Sequence, residues 1–243
     1  MLTTNKLKST VTSYARIKPK NEPSSQNKSS TEAFTINQST SSLTINTSPS
    51  ITYQFNKVFN PQSTQEEIFD VIGTSILTDI IKGTNTSLLC MGGANSGKTF
   101  SLFGPMYTLH EEETKLHGVL PRFLSFIFDE NKLKETFKFG KITMEISYCG
   151  VMIDNNDNIQ NLIGKELDSF TYIKLENYEK AKYIINSYIK NIDQDKTFNE
   201  SSILFLFKVS SIYSYKGEED KIQSYERIIH YLPISFQNTD KLY

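Results

Sequence analysis

The sequence predicts an α/β layered fold, a central mixed β-sheet flanked by helices, on three observations. Ile68, Ile72, Ile76 and Ile80 recur at steps of four, the spacing of one helix face. A short β-prone run over 86–91 leads into a glycine-rich loop, and a helical pattern resumes at Lys98. Two long β-prone runs, 203–213 and 223–232, lie close enough in the chain to pair antiparallel. With 243 residues and 37% apolar side chains, the chain can bury one substantial core.

Residues 11–17 favour a short strand that Lys18-Pro19 closes, since proline keeps the residue before it extended. This run, within residues 1–19, is the first strand of the fold. Over 20–50 the composition shifts: 20 of these 31 residues are Ser, Thr, Asn or Gln. So few apolar groups predict a disordered insert. Residues 51–243 carry the remainder of the fold. The run 51–59, rich in β-branched and aromatic residues, predicts another strand, punctuated by Asn60-Pro61-Gln62-Ser63. Thr64-Gln65-Glu66-Glu67 fits a capping box, and Phe69, Leu77 and Ile81 widen the isoleucine stripe behind it. Gly83 stands where a helix C-terminus wants a left-handed residue.

The run 86–91 is read as a buried strand, and the helix after the loop ends at the Gly104-Pro105 turn. Farther on, 121–130 predicts a short helix, 137–149 a long strand and 176–191 an amphipathic helix, before the two late strands.

Composition narrows the function. The 26 Lys and Arg nearly cancel 27 Asp and Glu, so no overall positive field favours nucleic acid or anionic lipid. Cys90 and Cys149 sit far apart in apolar stretches, and three scattered histidines give no metal-ligand spacing, which points to a reduced, cytoplasmic setting. The longest apolar runs are too short to cross a bilayer, and the first residues do not lead into a signal-peptide core.

The chemistry lies in Gly92-Gly93-Ala94-Asn95-Ser96-Gly97-Lys98-Thr99, a P-loop pattern between a strand and a helix. A triphosphate crowds negative oxygens into a small volume. Consecutive backbone N–H groups can surround them only where side chains do not intrude, hence glycine at 92 and 97. Lys98 would set its ammonium between the β- and γ-phosphates, Thr99 would offer its hydroxyl to Mg2+, and the helix N-terminus would add its dipole.

Beyond the P-loop, Tyr53-Gln54-Phe55-Asn56-Lys57-Val58-Phe59, Ser63-Thr64-Gln65-Glu66-Glu67-Ile68-Phe69, Gly83-Thr84-Asn85-Thr86-Ser87 and Phe100-Ser101-Leu102-Phe103-Gly104 together resemble a kinesin motor head. Gly118-Val119-Leu120-Pro121-Arg122 and Ser147-Tyr148 resemble further segments of that family. The resemblance is continuous over about residues 51–130 and weaker over 11–19 and 140–213. It implies ATP or ADP with Mg2+ as ligands, microtubules as partner and a cytoskeletal location. It also implies that Arg16, Lys18 and Pro19 match a strand end contacting adenine, with lysine in place of a second arginine, and that Phe100 matches an adenine-side position.

Departures from the family pattern fall where it reads the γ-phosphate. Kinesins carry Asn-x-x-Ser-Ser-Arg-Ser-His, whereas this chain has Asn199-Glu200-Ser201-Ser202-Ile203-Leu204-Phe205. Ser201 and Ser202 remain candidates for Mg2+ or a phosphate oxygen; a polar turn entering a strand is the plainer reading. The family's later Asp-x-x-Gly is replaced by His230-Tyr231-Leu232-Pro233-Ile234-Ser235, and the lone such spacing, from Asp70 to Gly73, belongs to the first helix. The family's tubulin-facing elements would follow Tyr243, which implies either a truncated head or one that has lost part of itself. The resemblance therefore implies a kinesin-like ATP-binding protein in which hydrolysis and motility by this chain alone are doubtful. A competent motor ATPase and a non-catalytic cytoskeletal interaction module are the alternatives.

Overall fold

A computed structural model describes residues 11–19, 33–93, 95–105, 115–153, 159–161, 171–194, 202–218 and 223–235. The chain divides into two compact units, Met1–Ser63 and Thr64–Tyr243.

In the N-terminal unit, β1 (Tyr14–Arg16) pairs in parallel with β5 (Lys57–Phe59). Asn56 and Ser13 exchange hydrogen bonds of 2.8 Å at one end of this pair, and Ile17 N–H reaches the Phe59 carbonyl at the other. The expected single strand over 51–59 is two, β4 (Ile51–Gln54) and β5, interrupted at Phe55 and Asn56. Expected disorder over 20–50 is corrected where the structure describes it. Phe34–Asn37 (β2) and Ser42–Ile45 (β3) join β4 in a three-stranded antiparallel sheet. Alternation is the reason: Phe34, Ile36, Leu43 and Ile45 are few, but spaced by two they share one face. Residues 20–32 of the expected insert lie outside the described residues.

The larger unit begins with the predicted helix. Thr64 accepts from Glu67 N–H, and Glu67 reaches back to Thr64 N–H, closing the capping box. The helix runs through α1 (Gln65–Ile68), a π turn at Phe69–Gly73 and α2 (Thr74–Ile81), burying Ile68, Phe69, Ile76, Leu77, Ile80 and Ile81. Gly83 at φ 82° ends it; Thr84 N–H bonds Asp79 O at 2.8 Å and Gly83 N–H bonds Ile80 O at 3.0 Å. Asp70 lies exposed on this helix, as a surface carboxylate should.

The main sheet is mixed, as predicted. Its order is β6 (Thr86–Gly92), β11 (Gln223–Ser235), β10 (Ser202–Tyr215), β7 (Phe139–Ile153) and β8 (Ile159–Asn161), with β9 (Ile173–Leu175) also on β7. The late strands form the expected antiparallel pair, whereas β6 and β11 run parallel. Strands β8 and β9 are not foreseen from the sequence, each being only three residues long. The run 86–91, expected to be buried, alternates instead, leaving Leu89 47% and Met91 54% exposed.

Helices α3 (Lys98–Leu102), α4 (Val119–Ile127), α5 (Glu130–Phe137) and α6 (Tyr178–Gln194) complete the unit. Only α5 was not expected: Asp129 caps it through Lys132 N–H, and its mostly charged surface shows little apolar periodicity beyond Leu133. One core joins Leu133 and Ile81 to Phe139, Ile142 and Tyr213, with the Phe139 and Tyr213 rings 4.4 Å apart. Tyr213 Oη donates to Ile81 O at 2.9 Å, fixing the end of α2 to the sheet. A second aromatic group, Tyr148, Phe205 and Phe207, is almost wholly buried within β7 and β10.

Candidate functional site

The site grows from the end of β6. Gly92 is the last residue of that strand, and Gly97, with φ 96°, is the left-handed residue from which α3 starts. A side chain at 97 would strain this turn, and a Cβ at 92 would meet Ser96 Oγ at 2.5 Å. Between them the loop closes on itself through Ser96 N–H to Gly93 O at 3.3 Å. Ala94 lies outside the described residues; Gly93, Asn95 and Ser96 are exposed.

Lys98 is 9% exposed, and its ammonium donates to Gly92 O at 3.0 Å and Gly93 O at 2.6 Å. The cation is therefore held against the loop's own carbonyls. As first residues of α3, Lys98 and Thr99 have no intrahelical acceptor for their N–H groups. Two directed donors and an ammonium within one short turn suit a multiply charged oxyanion. Thr99 is half-buried and Phe100 is 39% exposed on the same short helix.

What holds this helix is less visible in the sequence. Leu102 and Phe103 are buried, and the Phe103 ring meets Phe205 of β10 edge-on at 5.1 Å. Gln65, 3% exposed at the start of α1, donates to Phe100 O at 2.6 Å and Leu116 O at 3.3 Å. Arg122 of α4 donates to His117 O at 2.8 Å and Lys115 O at 3.0 Å, clamping the segment Gln65 also touches. The sequence places Gln65 only inside a capping box; a polar side chain on the apolar side of that helix is the available signal. His117 is buried beside these groups. Burial first, then the charges of Arg122 and Lys182, lowers its pKa below the ordinary 6.5.

The remaining candidates are distributed. Arg16 ends β1 half-buried, and Lys18 and Pro19 follow it exposed; all three belong to the N-terminal unit. Ser201 lies outside the described residues. Ser202 opens β10 in register with Ile153, so it is a strand residue, the plainer of its two expectations. Leu232, Pro233, Ile234 and Ser235 lie in β11 in register with Leu89, Cys90, Met91 and Gly92. The strand beside the loop strand thus ends on neither a carboxylate nor a glycine. Among the described residues no cluster of His, Cys, Asp and Glu could hold a metal ion, and no helix is long and apolar enough to cross a membrane.

The family model for the kinesin motor domain matches residues 16–212. The chain is 33% identical over 126 residues to the chromosome-associated kinesin KIF4 of Mus musculus, covering 52% of this chain and 10% of that protein. It is 34% identical over 121 residues to the chromosome-associated kinesin KIF4A of Homo sapiens, covering 50% of this chain and 9% of that one. To the kinesin-like protein KIN-12B of Arabidopsis thaliana it is 27% identical over 173 residues, 68% of this chain and 12% of the relative. The chain therefore aligns with about a tenth of the length of these relatives.

Proposed function

Since this chain belongs to the kinesin motor domain family, a family of microtubule-associated motors, we propose that it binds Mg-ATP and Mg-ADP at residues 92–99 and hydrolyses ATP slowly. The observation that carries the reading is the strand, loop and helix arrangement with Lys98 held at Gly92 and Gly93. These residues fit the ligand: Gly92 and Gly97 keep Cβ atoms out of the turn, and the first N–H groups of α3 are available to oxyanions.

In this reading Lys98 exchanges its two neutral carbonyl acceptors for phosphate oxygens, so that the ammonium meets an anionic acceptor. Thr99 would supply its hydroxyl to the metal, and the main-chain N–H groups of Gly93, Asn95 and Gly97, with that of Ser96 once released from Gly93 O, would enclose the phosphates. By family resemblance Phe100 matches an adenine-side position in the larger unit, and Arg16, Lys18 and Pro19, in the N-terminal unit, match the family's adenine-contacting strand end. Bound Mg2+ supplies positive charge to the phosphate oxygens.

Slow hydrolysis rests on what stands beside the loop. Phosphoryl transfer depends on positioning the attacking water and stabilising charge, and a single preorganised donor is worth roughly 100- to 1000-fold in rate. The end of β11, in register with Gly92, carries Ser235 where the family has its Asp-x-x-Gly, and Ile203 stands where its switch arginine would fall. Binding survives such losses better than turnover does.

Titration with a fluorescent ATP analogue, followed by phosphate release with and without microtubules, tests both halves. Lys98→Ala should weaken nucleotide binding about ten- to hundredfold while the chain stays folded. Unchanged affinity would remove the nucleotide site and leave a non-catalytic interaction module. Robust microtubule-stimulated release that Lys98→Ala abolishes would instead establish a competent motor ATPase.

A further inference from the structure

The sheet formed by β2, β3 and β4 has two chemically opposite faces. In register, Phe34, Ile45 and Ile51 form one cross-strand row and Ile36, Leu43 and Tyr53 the next, so all six apolar side chains share a face. None of the six is fully buried, and Ile51 and Tyr53 are each 47% exposed. The opposite face is polar: Thr35, Thr44 and Thr52 form a ladder, with the Thr44 and Thr52 hydroxyls 2.9 Å apart.

Among the described residues, nothing pairs with the outer edge of β4. All four of its residues are exposed, and within the sheet it pairs with β3 alone. Phe55 N–H bonds Ser41 O at 3.0 Å, which sets the alternation of the antiparallel ladder. Ile51 and Tyr53 therefore turn their main-chain groups to β3, and Thr52 and Gln54 turn theirs outward. Natural sheet edges are commonly guarded by a charge or a bulge. Here no charged residue occurs between Glu32 and Lys57.

We propose that this edge is an interaction surface for a second copy of the chain, β4 pairing antiparallel with β4 of the other molecule about a two-fold axis at Thr52. The register is self-complementary. Thr52 meets Thr52, so the two residues exchange both N–H···O bonds and the threonine ladder continues across both molecules. Ile51 meets Tyr53 on the same side, so each apolar row runs unbroken from three strands to six. Any register shifted by one residue would set apolar side chains opposite polar ones. An uncharged edge also meets its copy without repulsion, which a lysine-guarded strand could not do. Four-residue edges bury less than a standard interface, so the dimer is weak, with a dissociation constant of roughly 100 µM.

Sedimentation velocity on the whole chain from roughly 10 to 500 µM reads the association directly. The expected result is a concentration-dependent dimer, with Thr52 and Gln54 amides exchanging more slowly as it forms. Thr52→Pro removes an outward N–H without touching the bonds to β3, and Thr52→Lys adds a guarding charge. Each should weaken association at least about tenfold, while Thr52→Ser retains it, all with an unchanged circular dichroism spectrum. A chain that stays monomeric throughout, or a dimer that both variants leave intact, would overturn the proposal. So would Thr52 protection appearing only on addition of an uncharged extended peptide, which assigns the edge to a foreign strand.

Discussion

Gln65 and Phe100 lie 35 residues apart in the chain, yet the Gln65 side-chain amide donates to the Phe100 main-chain oxygen at 2.6 Å from a site almost closed to solvent. The bond ties the start of α1 to the helix that follows the P-loop, and the same amide also reaches Leu116. Loop geometry and the first helix are thereby coupled.

Gln65→Leu keeps the side-chain volume and deletes the donor, leaving the Phe100 carbonyl without it. We expect a loss of about 1–3 kcal/mol in unfolding free energy by urea titration. Nucleotide affinity should fall as well, although Lys98 is untouched. An unchanged urea midpoint would show that the amide holds nothing in place.

Gly118→Ala tests close packing beneath the same helix. Gly118 caps α4 at φ −73° and ψ −171°, a conformation open to any residue, so backbone strain plays no part. A Cβ there would lie 2.5 Å from Leu102 C and Phe103 N, which are main-chain atoms and cannot swing away. Overpacking should cost about 1–3 kcal/mol. A thermal midpoint equal to that of the unsubstituted chain would mean that the two segments separate readily.

His117 makes stability depend on pH. Its Nε2 is buried without a hydrogen-bond partner among the described residues, and burial, Arg122 and Lys182 lower its pKa in the folded chain. The unfolded chain then binds the extra proton, so stability is full above the unfolded value near 6.5 and declines as pH falls through it toward the lower folded value. Urea midpoints should drop between neutral and mildly acid pH, and drop less in His117→Phe. Equal drops in both proteins would place the acid sensitivity elsewhere.

Part of this molecule was legible residue by residue. The capping box at Thr64, the isoleucine stripe and Gly83 are local devices, each fixed by contacts within one or two helical turns, and the helix they frame formed with those bounds. The P-loop pattern was legible for the same reason: Gly97 takes its left-handed turn and Lys98 folds onto Gly92 and Gly93, all within seven residues. Antiparallel pairing of the two late strands also followed, since a short connection leaves little else for two long β-prone runs to do.

Tertiary structure decided what depends on distant partners. Composition over 20–50 argued disorder because composition averages over positions, whereas Phe34, Ile36, Leu43 and Ile45 align on one face only when β2 and β3 are paired. Leu89 and Met91 looked like core residues, but a strand buries a face only where another layer covers it, and theirs stays exposed. Gln65 gained its role because Phe100 and Leu116, 35 and 51 residues on, bring two carbonyls to one amide. The placement of Ser235 beside Gly92 likewise exists only through the parallel register of β11 on β6. Local sequence sets φ, ψ, caps and periodicity; which side chains end in contact across tens of residues is set by how the assembled layers cover one another.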